Sequence, residues 1–233
     1  MWDKANFVIE LKKVNLSYNK QIVVSGIDFN LRATETVFLF GPNGSGKSSL
    51  LKLLYGALAT SDGVGRVFDY ELNKPDRERL PFLRRQLGIL NADFPLIEDI
   101  NIEDNLALIL HATDWLDGEL RKERISEVLS LVDLNSKSYF YPKELSKAEC
   151  RKAMFARAIL NNPAILLLDE PVAELDKESA MELLHIIFKY VSSKKIAMVF
   201  STNNSEILTN FPAAQFKMEK GKTSLIPVLP FKK

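Results

Sequence analysis

The sequence predicts an α/β fold with a mostly parallel sheet and a helical insertion in its middle. Two short apolar runs carry this prediction: residues 37–40 end at a Gly-rich loop, and residues 165–168 end at two acids. Runs of four apolar residues bounded in this way are typical of buried strands in a parallel sheet. From 165 to 200 the pattern changes from strand to helix to strand, which predicts a right-handed crossover.

The first third of the chain predicts short strands on both sides of one helix. Strand composition is found over 7–11, 14–18 and 22–31, with Asn19 and Lys20 as a turn candidate. After the strand at 37–40, we expect a helix over 48–59, a turn over 60–63 and a strand over 64–68.

The middle of the chain changes character and predicts helices over 102–110, 121–132 and 147–160. The last third returns to alternation, with a strand over 165–169, a helix over 177–191 and a strand over 196–200. Apolar residues of the helix at 177–191 recur at steps of three and four, which places them on one face.

Composition excludes several classes of protein. The chain has 233 residues, of which 46% are hydrophobic and 26% charged, so wholesale disorder is excluded. A net charge of +1 gives no support to a nucleic-acid partner, and a single cysteine permits no internal disulfide. No stretch of 18 apolar residues is present, and the amino terminus lacks an apolar signal core. We therefore expect a cytoplasmic protein whose membrane role, if it has one, comes through a partner.

A Gly-rich loop follows the first apolar run. It matches the pattern GxxxxGK[ST] in full and consists of Gly41, Pro42, Asn43, Gly44, Ser45, Gly46, Lys47 and Ser48. Glycines let successive backbone N–H groups face one anion, and the following helix aims its positive end at the same point. Lys47 adds a mobile charge for the β- and γ-phosphates, and the Ser48 hydroxyl can bind Mg²⁺. The loop therefore predicts a nucleotide phosphate site.

The second apolar run supplies the acids that such a site requires. Asp169 is expected to hold Mg²⁺, directly or through a water molecule. Glu170 is expected to polarise the attacking water as general base. The predicted catalytic residues are therefore Glu170 and Lys47, and the predicted metal ligands are Ser48 and Asp169.

Taken together, these segments resemble the ATP-binding cassette (ABC) ATPases over nearly the whole chain. Residues 169–176 resemble the Walker B and D-loop pattern DEPxxxLD, and 145–149 stand at the place of the LSGGQ signature. Residues 157–160 resemble the ARAI segment that follows it, and Tyr18 stands at the place of the aromatic residue that stacks on adenine.

The resemblance implies a P-loop NTPase fold with an antiparallel β subdomain and an inserted helical subdomain. It implies one ABC ATPase domain, 1–233, whose core is 1–90 and 161–233 and whose helical subdomain is about 91–160. ATP and Mg²⁺ are the implied ligands. Beyond the phosphate loop and Ser49, the implied nucleotide contacts are Tyr18, Ser146 in the signature and Asn203 at the place of the H-loop histidine.

Two segments narrow the resemblance to the FtsE group of bacterial cell-division ATPases. Residues 80–88 resemble its LRRxIG segment, and 101–106 resemble its TVYENV segment. This group implies a homodimer with ATP at the interface, and an integral membrane partner of the FtsX type at the cytoplasmic face of the inner membrane. The LolD and MacB exporter ATPases share much of the pattern, so an exporter subunit is the alternative.

Three motifs depart from the family pattern. Ala92 stands where the Q-loop glutamine is expected, and Asn203 replaces the H-loop histidine. Lys147 and Ala148 replace the two signature glycines. The residues that bind nucleotide are intact, whereas those that sense the γ-phosphate are altered. Two functions therefore remain open: slow, partner-dependent ATP hydrolysis, or a nucleotide-gated scaffold with negligible turnover.

Overall fold

The computed structural model describes residues 7–18, 21–219 and 221–226. Within them, the strands are Phe7–Tyr18 (β1), Gln21–Arg32 (β2), Thr36–Phe40 (β3), Thr60–Val67 (β4), Tyr70–Glu71 (β5), Leu87–Leu90 (β6), Ile165–Asp169 (β7), Ala197–Thr202 (β8), Ala214–Glu219 (β9) and Lys222–Ile226 (β10). The helices are Lys47–Leu54 (α1), Leu80–Arg85 (α2), Ile102–Ala112 (α3), Gly118–Leu131 (α4), Lys147–Ile159 (α5), Lys177–Lys194 (α6) and Ser205–Asn210 (α7).

Two compact units are built from segments that lie far apart in the sequence. Of the described residues, those in 7–84, 167–170 and 196–226 form the first unit, and those in 85–166 and 171–195 form the second. Strand β7 contributes its first two residues to the second unit and its last three to the first. The subdomain boundaries implied by the family resemblance remain a prediction.

An antiparallel sheet in the first unit has the strand order β2-β1-β4-β5. Register shifts interrupt the β1–β2 pairing around Lys13, whose φ of 48° lies in the left-handed region. Inside the sheet, the buried carboxylate of Glu10 accepts a hydrogen bond of 2.6 Å from Nε of Arg66. The guanidinium partner compensates the burial of this negative charge. The structure thus confirms the antiparallel β sheet that the family resemblance implies.

A second sheet of the first unit carries the predicted parallel strands. Strand β3 pairs in parallel with β8 on one side and with β9 on the other, and β10 pairs antiparallel with β9. Phe38 of β3 packs edge-on against Phe200 of β8, with 5.3 Å between ring centroids. Because β3 and β8 run in the same direction, the segments that follow them reach the same edge of the sheet. That edge holds the predicted phosphate loop.

Helices α3, α4, α5 and α6 form the core of the second unit, and the predicted helices over 102–110, 121–132 and 147–160 are confirmed. Ile102, Leu106 and Leu110 of α3 are fully buried at steps of four residues. Arg124 of α4 is also buried, and its guanidinium donates to the carbonyls of Ile159 at 2.6 Å and Leu160 at 2.8 Å. These bonds satisfy carbonyls that the end of α5 leaves without helical partners.

Two predicted boundaries between residues 54 and 63 are wrong. Helix α1 ends at Leu54 rather than at 59, because Gly56 takes a φ of 70° and the N–H of Ala57 bonds back to the carbonyl of Lys52. This is a glycine-terminated helix end. Residues 60–63 belong to β4 rather than to a turn, since Thr60 pairs with Leu16 and Asp62 with Asn15 of β1. Pairing with another strand here overrides the local turn preference.

Gly88 of β6 provides a test of packing in the second unit. A Cβ atom at this position would lie 2.4 Å from the carbonyl oxygen of Ala158 and 2.5 Å from Cδ2 of Leu166. We expect Gly88→Ala to lower the free energy of unfolding by about 1–3 kcal/mol, measured by urea titration, because the added methyl overpacks the site. Gly118→Ala is the matched control, since its Cβ meets nothing closer than 3.7 Å. Equal stability of the two variants would contradict this expectation.

Candidate nucleotide-binding site

The phosphate loop lies between the end of β3 and the start of α1, as predicted. Gly44 and Gly46 have φ values of 78° and 99°, which residues with a side chain rarely adopt. Gly46 is the residue before the first turn of α1, and its carbonyl accepts the first helical hydrogen bond from Leu50. The curled loop and the helix amino terminus therefore present backbone N–H groups at one place, which suits a phosphate anion.

The first glycine of the loop is required by a neighbouring strand. A Cβ atom on Gly41 would lie 2.1 Å from the carbonyl oxygen of Met218 in β9. No side chain fits there unless the backbone of β9 shifts. The motif predicts a glycine at this position, but only the sheet shows which atom excludes every other residue.

Lys47 is buried inside its own loop, with 5% of the residue exposed. Its ammonium donates to the carbonyl of Gly41 at 2.8 Å and to the carbonyl of Pro42 at 3.2 Å. A carboxylate oxygen of Glu170 lies 3.4 Å from the same nitrogen, within ion-pair range. Two carbonyls and the Glu170 carboxylate thus hold the Lys47 ammonium at the loop. A phosphate bound there can take the place of the Glu170 carboxylate.

A pocket of about 500 Å³ joins the loop to Glu170. Its lining consists of Asn43, Gly44, Gly46, Lys47, Ser48, Ser49 and Glu170. The volume lies within the usual range for small-molecule sites. The structure therefore brings together most of the predicted loop residues and the predicted general base.

Ser201 of β8 connects the two acids of the site. The Ser201 hydroxyl donates a short hydrogen bond to Oδ1 of Asp169. Oγ of Ser201 also accepts a hydrogen bond of 3.1 Å from the N–H of Glu170. Glu170 itself has a φ of 46°, in the left-handed region. Such a conformation in a non-glycine residue persists only where the surroundings hold it, and it occurs often at functional sites.

The pKa of Glu170 is raised above its ordinary value. Burial is the main cause, because it disfavours the charged form, and the charge of Asp169 acts in the same direction. Lys47 and the backbone N–H of Asn203 oppose the rise. A carboxylate with a raised pKa is a stronger base than an ordinary one, which suits the predicted role of Glu170.

Asn203 lies beside the phosphate loop, where the family has its histidine. Its side-chain N–H donates to Oδ1 of Asn43 at 2.9 Å. This bond joins the residue after β8 to the mouth of the loop. A neutral amide at this position donates and accepts hydrogen bonds but carries no titratable charge near neutral pH.

The donors of this site fit Mg²⁺. The Ser48 hydroxyl and the Asp169 carboxylate are hard oxygen ligands, and Mg²⁺ is usually held by one or two carboxylates together with substrate phosphates. Among the described residues, the buried Ser45 Oγ has no hydrogen-bond partner, and the buried Glu170 Oε1 has only its ion pair with Lys47. Among those residues, no cluster of three or more His, Cys, Asp or Glu side chains suits a metal held by protein alone. When bound, Mg²⁺ would neutralise charge on the phosphates.

Ser146 belongs to the second unit, where it begins α5. Its hydroxyl accepts the N–H of Glu149 at 3.2 Å, and the Glu149 carboxylate accepts the N–H of Ser146 at 2.9 Å, which forms a capping box. Lys147 is exposed, with its ammonium 3.4 Å from the carboxylate of Glu174. The altered signature therefore starts a regular helix, and its lysine has a local partner.

The segment at the place of the Q-loop is also well ordered by its own residues. Ala92 is exposed, whereas Asn91 is buried and its amide oxygen accepts the N–H of Phe94 at 3.1 Å. Asn91 therefore has a local structural role. The remaining predicted nucleotide contact, Tyr18, ends β1, and its side chain lies outside the described residues.

Sequence reasoning missed Ser201. The strand was predicted to end at 200, whereas β8 continues to Thr202. A polar residue directly after a buried apolar run was the available signal, since Asp169 follows the apolar run 165–168 in the same way. Across the described residues, no helix is both long and apolar enough to cross a membrane.

Comparison with known proteins identifies a family and several relatives that are named as ATP-binding proteins. Residues 24–173 match the family described as ABC transporter. The cell-division ATP-binding protein FtsE of Bacillus subtilis is 29% identical over 92% of this chain and 93% of its own length, and FtsE of Streptococcus pneumoniae is 30% identical at the same coverage. The methionine import ATP-binding protein MetN of Clostridium tetani is 32% identical over 86% of this chain and 63% of its own length.

Solved structures show the same fold. The dimeric structure of MJ0796, described as a bacterial ABC transporter cassette, has a TM-score of 0.86 at 25% identity. It covers 96% of this chain, and the match spans 100% of that chain. The family match covers more than half of the sequence, and the phosphate loop and its acids lie together as that family requires. The chain therefore belongs to the ABC transporter family, as an ATP-binding subunit with the P-loop NTPase fold of the ABC cassette.

Proposed function

We propose that this chain is the ATP-binding subunit of an FtsEX-like membrane complex that acts in cell division or cell-wall control. It binds Mg-ATP as a homodimer, with the nucleotide at the interface, and docks on an integral membrane protein of the FtsX type at the cytoplasmic face of the inner membrane. The FtsE relatives, which match along 92% of this chain, support the assignment. The segments 80–88 and 101–106, which resemble FtsE motifs, point to the same group.

One observation carries the nucleotide chemistry: the phosphate loop and Glu170 face each other across one pocket, with Lys47 between them. In the proposed mechanism, the loop N–H groups and Lys47 bind the β- and γ-phosphates. Ser48 and Asp169 would hold Mg²⁺, and Glu170 would accept a proton from the attacking water. Lys47 is released from Glu170 when it binds phosphate, which frees the carboxylate to act as a base.

Turnover is proposed to be slow and dependent on the partner. Asn203 contacts Asn43 and contributes a neutral donor where the family has an imidazole. Ser146 of one protomer is proposed to meet the γ-phosphate held by the other, beside the altered residues Lys147 and Ala148. Loss of one preorganised transition-state donor lowers enzyme rates by about 10²- to 10³-fold in other systems. Such losses are not additive, so the individual factors do not multiply.

The MetN relative favours a second candidate function. An identity of 32% over 86% of this chain supports an ATP-binding subunit of an importer. An exporter subunit of the LolD or MacB type and a nucleotide-gated scaffold are further alternatives. The membrane protein that co-purifies with the chain separates the transporters from the FtsX-type complex, and the turnover rate separates the enzyme from the scaffold.

Mg-ATP hydrolysis should be measured for the purified chain alone and with its membrane partner, identified by mass spectrometry. We expect a rate that rises with an FtsX-type partner. Lys47→Ala should abolish both ATP binding and hydrolysis, because the buried ammonium is lost. Glu170→Gln should keep ATP binding and abolish hydrolysis, because the amide cannot accept the proton. A wild-type rate no higher than that of both variants, with ATP binding intact, would exclude the enzyme and favour the scaffold.

The raised pKa of Glu170 predicts how the rate depends on pH. The base must be ionised, so kcat/KM should fall as the pH drops through the pKa of Glu170 in the free enzyme, at a value above its ordinary 4.5. The kcat/KM for ATP hydrolysis should be measured from pH 5 to 9 with saturating Mg²⁺. Asn203→His is the informative comparison, because an imidazole near the loop adds a second ionisation to the profile. A flat wild-type profile down to pH 5 would argue against a raised pKa.

A further inference from the structure

The end of β8 contains a polar side chain that the proposed mechanism does not yet use. Ser201 is fully buried, on a strand whose six residues are all buried. Its hydroxyl makes one hydrogen bond as donor, to Asp169, and one as acceptor, from the N–H of Glu170. The carbonyl of Ser201 lies 3.2 Å from the same N–H. One residue of β8 thus contacts both acids that follow or end β7.

These contacts act on two different parts of the site. The bond to Asp169 is charge-assisted and occupies Oδ1, which fixes the orientation of the carboxylate and leaves its other oxygen for a ligand. The bonds from Glu170 hold its backbone in the left-handed conformation, with a φ of 46°. The direction in which the Glu170 side chain leaves the strand depends on that backbone angle.

We propose that Ser201 is a positioning residue of the Mg-ATP site. Its hydroxyl orients the Asp169 carboxylate toward Mg²⁺ and holds the Glu170 backbone in the conformation that proton transfer requires. The inference rests on the proposed binding of Mg-ATP and adds a residue to it. Groups that orient a metal ligand typically contribute 10- to 100-fold to metal affinity or activity. An apolar residue of similar size would fill the space but would leave Oδ1 of Asp169 without this donor.

The test measures Mg²⁺ binding rather than turnover. A fluorescent, non-hydrolysable ATP analogue is titrated onto the full chain at a series of free Mg²⁺ concentrations buffered with EDTA. Mg²⁺ is expected to increase the affinity for the analogue. For Ser201→Ala, we expect the Mg²⁺ concentration that gives half of this increase to rise about 10- to 100-fold. Analogue binding without Mg²⁺ should stay near wild type, because the phosphate loop is unchanged. Ser201→Cys keeps the size but donates weakly, so it should shift in the same direction.

Val199→Ala is the matched control for a loss of packing. Val199 is fully buried two residues earlier on β8, so it lies on the same side of the strand as Ser201. This variant should lower the melting temperature and leave the Mg²⁺ dependence unchanged. A wild-type Mg²⁺ dependence in Ser201→Ala, or an equal shift in Val199→Ala, would overturn the positioning role. Failure of the wild-type chain to bind the analogue at any Mg²⁺ concentration would instead overturn the proposed function, and with it this inference.

Discussion

A buried ammonium group governs the arrangement of the functional edge of the first unit. Lys47 has little contact with solvent, so its charge must be compensated by nearby oxygens. Two of these are carbonyls of its own loop, and the third is the Glu170 carboxylate. Because the lysine contacts both sides of the pocket, the loop after β3 and the acids at the end of β7 are held in one arrangement. This arrangement keeps the ammonium at the loop, where a bound phosphate would take the place of the Glu170 carboxylate.

The sheet supplies the rigidity that this arrangement requires. Strand β3 lies between two parallel neighbours, of which β9 contributes a backbone carbonyl to the site and β8 contributes the hydroxyl and the carbonyl of Ser201. The Met218 carbonyl in β9 excludes any side chain at Gly41. Ser201 at the end of β8 contacts Asp169 and Glu170, and Asn203 just after β8 contacts Asn43. Each neighbour thus positions a different part of the pocket, so the edge acts as one preorganised unit.

The altered motifs of the second unit are well formed locally. Ser146 and Glu149 form a complete capping box, Asn91 bonds within its loop, and Lys147 has an acidic neighbour in Glu174. The departures from the family pattern are therefore accommodated without disturbing α5 or the loop.

Local sequence determined most of the elements and all of the residues that line the pocket. The apolar run 165–168 with its two acids, and the loop pattern at 41–48, predicted β7, the loop and Glu170, because strong hydrophobic patterns and a glycine motif dominate their local structure. The early end of α1 and the extension of β4 to Thr60 depended instead on a glycine-terminated helix end and on pairing with β1. Only the tertiary structure identified Ser201 and the Met218 carbonyl, because hydrogen bonds and steric exclusion between strands have no signature within either strand alone.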